Sequence, residues 1–194
     1  DTWLNGTLYH FNDYGELKTG AIVENGKCNL YSDDGTLLES GAAQGWNYIG
    51  GAYYYLKGDS LLKGSYRLED GKWYTFDNEG RMQVNAQVDG RWYGESGDAQ
   101  TGWFTVAGEW HYASPMNGRL YNGLHTINGV QYYFDNTGVM QTGEVVSGDY
   151  VLTINDSGVV TGTKEMQDGW SCYDEEWYYY QNGKPYTGWV GAYY

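Results

Sequence analysis

The residues of this chain best suited to do chemistry are aromatic rings in a recurring pair. Gly45-Trp46 is followed seven residues later by Tyr53, Gly102-Trp103 by Trp110, and Gly169-Trp170 by Trp177, while Gly188-Trp189 opens a fourth pair. Paired rings of this kind bind two classes of ligand. Quaternary ammonium groups are held by ring faces, at about 0.5–2 kcal/mol per cation–π contact. Sugar rings lay their C–H faces on the same surfaces through apolar and dispersion contact. The usual catalytic candidates are weaker. His10, His111 and His125 lie in different segments without matching partners, and no Cys/His metal spacing is present. Ser32-Asp33-Asp34-Gly35 and Asn155-Asp156-Ser157-Gly158 lack the full ligand set of a calcium loop and read as turns. A glycosidase needs two carboxylates about 5–10 Å apart across a cleft, whereas Glu175 and Glu176 are neighbours on a hairpin turn. The sequence thus reads as a non-catalytic binder with no cofactor and no metal.

The elements that must position these rings are short. Turn pairs recur at Asn5-Gly6, Asn25-Gly26, Gly50-Gly51, Asp89-Gly90, Asn128-Gly129 and Ser147-Gly148, and supply the positive φ that primed hairpin turns demand. Aromatic strands follow, such as Tyr53-Tyr54-Tyr55, Trp92-Tyr93 and Tyr132-Tyr133-Phe134, and second turns such as Asn12-Asp13-Tyr14-Gly15 and Asp77-Asn78-Glu79-Gly80 close each segment. Around the Asn128-Gly129 turn, Ile127 pairs with Val130, Thr126 with Gln131, His125 with Tyr132 and Leu124 with Tyr133. Alternation then turns His125, Ile127, Tyr132 and Phe134 to the core. The same register sends Tyr9, Phe11, Tyr54, Leu56, Tyr74 and Phe76 inward, with a three-residue loop Glu69-Asp70-Gly71 in the 65–76 hairpin. Trp103, Trp110 and Tyr112 share the other face, as do Trp46, Tyr53 and Tyr55, and Trp170, Trp177 and Tyr179.

A lone hairpin is barely stable in water, so a string of them must stack. The expected fold is all-β: a solenoid, wound as a superhelix, of about ten stacked β-hairpin repeats of roughly 20 residues. The units begin near residues 1, 21, 46, 65, 86, 103, 124, 144, 170 and 189, with extra residues at 42–45 and 163–169, and form a single domain over 1–194. With 30 Gly, 22 Tyr and 9 Trp but few aliphatic residues, aromatic rings must supply most of the buried area. Cys28 and Cys172 lie many units apart and are expected as free thiols. Both ends fall inside the repeat pattern, so the chain reads as a piece of a longer protein.

Gly-Trp-x6-Trp, an aromatic triplet and then Gly-x-Met-x-Thr-Gly resembles the choline-binding, or cell-wall-binding, repeat of Gram-positive bacteria, which is related to glucan-binding repeats and to the C-terminal repeats of clostridial toxins. Residues 124–143 also resemble a short unit of the latter two. The resemblance implies a site at Trp103, Trp110, Tyr133 and Met140. It implies a second at Trp46, Tyr53 and Met82, where Thr75 replaces the expected aromatic and Trp73 is the substitute. A third would use Trp170 and Trp177, completed from the unit that stops at Tyr194. The head tryptophans are 57 and 67 positions apart, about three units. With three hairpins per superhelical turn, the cages would line one side and act together on a repeating polymer.

The expected partner is choline or a choline-bearing cell-wall polymer, on the outside of a bacterial cell. Ala21, Ser65, Ala86, Leu124 and Glu144 stand where other units have lost the head tryptophan, which keeps a polysaccharide or glycan ligand open, and also a spacer or protein-docking stalk. A net charge of −14 repels nucleic acid. No apolar run of 18 residues is present to span a membrane.

Overall fold

The structure, a computed structural model, describes residues 2–11, 14–41, 44–166, 169–173, 175–181 and 184–186. The described residues contain no helix, and their strands form two- or three-stranded antiparallel sheets. Turn chemistry sets this pattern. Asn25, Asp89 and Asn128 adopt φ of 50°, 51° and 50°, each ahead of a glycine. One hairpin makes the same turn with Ala107-Gly108, Ala107 standing at φ 51°. That conformation costs a residue with a Cβ about 1–2 kcal/mol, and the residue types do not announce it.

The 123–134 hairpin pairs Ile127 with Val130, Thr126 with Gln131, His125 with Tyr132 and Leu124 with Tyr133, as the sequence required. In the 64–76 hairpin the Leu68 amide donates to the Lys72 carbonyl at 2.9 Å, closing the three-residue loop Glu69-Asp70-Gly71. Tyr54, Leu56, Tyr74, Phe76, Ile127 and Phe134 are buried, while Tyr9 and Phe11 are half-buried. Where the repeat spacing stretches, a third strand has been added. Leu37–Ser40 pairs with Lys27–Tyr31, and Val160–Glu165 with Tyr150–Ile154, each with a register shift. The turn residues Asn12-Asp13, the Gly188-Trp189 pair and the unit at 189–194 lie outside the described residues.

Hairpins are stapled to one another through their linkers. The Met82 amide donates to the Tyr53 carbonyl at 2.7 Å, Ala99 to Trp73 at 2.8 Å, and Met140 to Trp110 at 2.7 Å. In each case the linker after one hairpin docks on the second strand of the hairpin before it. The apolar burial is divided in the same way, into small clusters. Cys28, Ile49 and Tyr54 form one; Leu62, Leu68, Tyr74 and Phe76 another; Val151, Met166 and Tyr180 a third. A core distributed among neighbours is the property of a repeat solenoid. By internal contacts the chain forms two compact units, Asp1–Gln100 with Met116–Gly118, and Thr101–Pro115 with Arg119–Tyr194. Cys28 is buried, Cys172 is exposed, and both are free thiols.

Candidate ligand-binding cages

Each compact unit contains one cage that can be built from its strands. In the first unit, Gly45–Ile49 pairs with Ala52–Lys57, placing Trp46 opposite Tyr55. Tyr53 is two residues before Tyr55 and therefore shares its face. The Trp46 ring meets Tyr53 at 6.3 Å and 89°, and Tyr55 at 5.1 Å and 88°. The next hairpin brings Tyr74 to 4.9 Å at 73° and Phe76 to 5.9 Å at 39°.

The second unit repeats this arrangement around Trp103, which lies opposite Tyr112. Its ring meets Trp110 at 6.2 Å and 83°, and Tyr112 at 5.1 Å and 71°. Tyr132 follows at 4.8 Å and 71°, and Phe134 at 5.8 Å and 36°. Each head tryptophan thus packs partly on the following hairpin yet stays open on its other side. Trp46 is 39% and Trp103 36% exposed, beside Tyr53 at 46% and Trp110 at 48%.

The methionines arrive by the staple already described. Because the Met82 and Met140 amides bond the carbonyls of Tyr53 and Trp110, each methionine is held against the second strand of a cage hairpin, and Met82 lines the first cleft. Each also needs a glycine behind it. A Cβ on Gly97 would run into the Met82 side chain, and one on Gly158 into that of Met140. Both glycines hold positive φ, 79° and 77°.

The first cage opens into a cleft of about 910 Å³, lined by Trp46, Tyr48, Tyr53, Tyr74 and Met82 on its aromatic side. Asp77, Arg81, Gln83, Glu95 and Ser96 supply a polar side. Asp77 Oδ1 accepts the amides of Glu79 and Arg81 at 2.9 and 2.8 Å, and Oδ2 accepts Arg81 Nε at 2.8 Å. Burial opposes ionisation of Asp77, but the Arg81 amide and guanidinium outweigh it and hold the carboxyl below its ordinary range. In the second unit, Asp135 accepts the Thr137 and Val139 amides at 2.8 and 3.0 Å. Burial opposes its ionisation too, and the Thr137 hydroxyl and these amides again prevail, lowering its pKa.

Of the residues singled out from sequence, Trp46, Tyr53 and Met82 come together, as do Trp103, Trp110 and Met140. Tyr133 is not the ring that meets Trp103; that is Tyr132, one residue earlier. Alternation is the reason. Tyr132 and Phe134 share the face turned to the preceding hairpin, whereas Tyr133 lies across from Leu124, its carbonyl accepting the Gln141 amide at 2.8 Å. Trp73 is likewise displaced by its neighbour Tyr74. It does not line the cleft, and the Arg91 guanidinium carbon sits 3.9 Å from its ring centroid. Trp170 and Trp177 are 60% and 66% exposed. Trp170 meets Tyr179 at 5.3 Å and 68°, and Tyr179 meets Tyr186 at 6.2 Å and 83°. The unit expected to complete that site lies outside the described residues. Sequence reasoning placed Tyr74, Phe76, Tyr132 and Phe134 in the core but missed that they also meet the head tryptophan of the preceding hairpin. The available signal was the stacking itself, which lays one hairpin's inward face on the outward face of the hairpin before.

Other candidate chemistry is absorbed by structure. His111 is buried and stacked on Phe104 at 5.4 Å, and His125 stacks on Tyr121 at 3.9 Å. Asn155 Oδ1 accepts the amides of Ser157 and Val159, each at 3.0 Å, which makes 155–158 a turn. Among the described residues, no group of His, Cys, Asp and Glu is arranged to hold a metal, and no helix is long and apolar enough to cross a membrane.

Stacked aromatic hairpins bearing open ring cages define a class of repeat protein, and comparison with known proteins shows which repeats its segments are similar to. Residues 121–158 match the choline-binding repeat, and residues 44–59 and 101–115 match the putative cell wall binding repeat. The latter two segments carry Trp46, Tyr53 and Tyr55, and Trp103, Trp110 and Tyr112, respectively. The resemblance read from the sequence therefore holds in the repeats that build both cages. Glucosyltransferase-S of Streptococcus downei is 28% identical over 205 residues, covering 95% of this chain and 14% of that protein. The chain thus spans a small part of the curated relative it matches. The fold is that of choline binding protein F from Streptococcus pneumoniae, with a TM-score of 0.53 at 22% identity, covering 94% of this chain and 84% of that one. CbpJ from the same species aligns with a TM-score of 0.57 at 24% identity, covering 87% and 61% of the two chains.

Proposed function

We propose that this chain is a non-catalytic attachment module that binds choline-bearing cell-wall polymer, teichoic acid, outside a Gram-positive bacterial cell. The observation that carries this reading is the set of rings about each head tryptophan. Three of the four neighbours of Trp46, and three of the four neighbours of Trp103, stand at 71–89° to it. Rings set steeply to one another present their faces in more than one direction around the exposed side of each head tryptophan. A trimethylammonium group is compact and attracted to every face at once, so it gains several cation–π contacts there. The methionine thioether adds a polarizable wall. A net charge of −14 favours a cationic ligand. Each cage is weak alone, but several on one chain act together on a polymer that repeats its choline.

The cages assigned this role are Trp46, Tyr53 and Met82 backed by Tyr74, and Trp103, Trp110 and Met140 backed by Tyr132, with Trp170 and Trp177 as a further pair. Tryptophan fluorescence during choline titration tests the reading. The expected result is a saturable change that Trp46→Ala with Trp103→Ala reduces to the share of the Trp170 and Trp177 pair, and adsorption to choline-bearing walls that free choline reverses. Wild-type fluorescence indifferent to millimolar choline would overturn it. Wall adsorption unaltered in the double variant would instead make the chain a spacer or docking stalk.

A further inference from the structure

The 64–76 hairpin repeats the framework of a cage without its head ring. Ser65 pairs with Thr75 as Trp46 pairs with Tyr55 and Trp103 with Tyr112. Trp73 takes the place of Tyr53 and Trp110, because its carbonyl accepts the linker amide of Ala99 at 2.8 Å, as theirs accept Met82 and Met140. Tyr93 comes from the next hairpin, as Tyr74 and Tyr132 do, and is buried. Its hydroxyl donates to Ser65 Oγ at 3.2 Å, and the Ser65 hydroxyl donates to Asp89 Oδ2 at 3.0 Å. Hydrogen bonds thus stand where the other two hairpins have an indole. The Trp73 ring remains, and a cation already lies on it. The Arg91 guanidinium carbon is 3.9 Å from the ring centroid, and Nε donates to the Asn117 carbonyl at 2.8 Å. Gly118 closes over the arginine stem, since a Cβ there would lie 3.7 Å from Arg91 Cδ and 3.2 Å from the Ala99 Cβ. Arg91 is 5% exposed, and among the described residues it pairs with no carboxylate.

We infer that this hairpin holds a further aromatic position that the chain fills itself: the Arg91 guanidinium occupies the face of Trp73 that would otherwise take a ligand's ammonium group, so Arg91 decides which ring positions are open. The inference rests on the cage reading above and adds to it a residue that sets the number of sites. Burying a guanidinium away from carboxylates is unfavourable unless something else holds the charge. Here an indole face and one carbonyl do so, which marks the Trp73 position as one that binds cations. The changes at Ser65 and Arg91 also fit each other. A trimethylammonium group draws its affinity from several faces, and Ser65 has removed one of them. A guanidinium is planar and stacks on a single face. Tethering then decides the competition. A cation on the same chain acts at an effective concentration of about millimolar or more, and the Asn117 bond holds it in place. A free ammonium ion on a single ring binds more weakly than about millimolar and does not displace it.

The test is fluorine NMR of the full chain labelled with fluorotryptophan, titrated with tetramethylammonium and then with choline. The Trp73 resonance is assigned by its disappearance in Trp73→Phe. In the wild type, Trp46 and Trp103 are expected to shift and Trp73 to stay still. Arg91→Met keeps a stem beneath Gly118 and removes the charge. Trp73 should then shift as well, at about tenfold higher concentration than Trp46 and Trp103, because one ring replaces several. The Trp46 and Trp103 responses should not change. A Trp73 that follows the ligand in the wild type, or stays still in a folded Arg91→Met, overturns the inference. A second measurement leaves Arg91 intact and reads the contact even where Arg91→Met does not fold. The Arg91 side-chain protons should be displaced upfield by the indole ring current, and Trp73→Leu should remove that displacement; protons at ordinary positions in the wild type overturn the inference. Trp46 and Trp103 moving with Trp73 silent in both proteins sinks the inference alone. Trp46 and Trp103 silent in both, with Trp73 responding only in Arg91→Met, supports the self-filled position and overturns the choline reading.

Discussion

The cages around Trp46 and Trp103 come from hairpins of different composition, yet they place their rings alike. Tyr53 replaces Trp110 at almost the same separation from the head tryptophan, 6.3 against 6.2 Å, and Tyr74 replaces Tyr132 at 4.9 against 4.8 Å. What differs is the rim. Tyr48 and Arg81 flank the first cage, where Thr105 and Val139 stand in the second. The backbone staples that deliver Met82 and Met140 are the same in both, each 2.7 Å long. Positions fixed by hairpin stacking are therefore constrained in geometry, while neighbouring positions outside the stack are free to set ligand preference. This division is what a repeat architecture permits, since each unit answers only to its neighbours.

The comparison breaks most decisively at the head tryptophans. Trp103→Ala should weaken its own cage for choline by about thirtyfold, the value of the cation–π contacts removed, and Trp46→Ala should do the same to its own. Calorimetric stoichiometry should fall by one site in each; a loss of both sites in either variant would mean that the cages do not act separately. The methionine seats come next. Gly97→Ala and Gly158→Ala should each cost about 1–2 kcal/mol in urea unfolding, from the left-handed backbone, and should also displace Met82 or Met140 and weaken that cage. Gly129→Ala has positive φ but nothing within 4 Å of the new Cβ, so it should lose stability without losing affinity.

A smaller effect would sharpen the account of the first cage wall. The Tyr74 hydroxyl donates to Asp70 Oδ2 at 2.7 Å, and burial together with this bond raises the phenol pKa. Tyr74→Phe should cost about 1 kcal/mol in urea unfolding and leave choline affinity within about twofold, since the ring remains. The smallest effect concerns acid. The Asp77 and Asp135 carboxyls both titrate below their unfolded values. The stability they contribute is present above about pH 4 and is lost as pH falls through the folded values. Arg81→Val should move Asp77 upward and leave Asp135 in place, as read by NMR titration of the carboxyl carbons. Equal values for Asp77 before and after would remove Arg81 as the cause.

Much of this was legible in the residues. Asn-Gly and Asp-Gly pairs fix a hairpin turn and its register, so the pairing of 124–127 with 130–133 followed from local chemistry alone. Period two then separated Trp103, Trp110 and Tyr112 from Tyr132 and Phe134. The loop at 69–71 was legible for the same reason, because only that length keeps Tyr74 and Phe76 inward. The Ala107-Gly108 turn was not, since alanine gives no sign of positive φ. Nor were the third strands Leu37–Ser40 and Val160–Glu165, which the spacing registered only as extra residues.

The sequence by itself determined the hairpins, their faces and the rings each face carries, because those depend on turns and alternation within about 20 residues. Tertiary structure decided which hairpin's rings face which. Tyr132 rather than Tyr133 walls the second cage, and Tyr74 rather than Trp73 the first, because stacking lays an inward face on its neighbour's outward one. That choice depends on linker amides reaching back to a preceding strand, as Met82 does to Tyr53 and Met140 to Trp110. No local pattern encodes a hydrogen bond between hairpins, so the ligand-facing geometry emerges only when the repeats are packed.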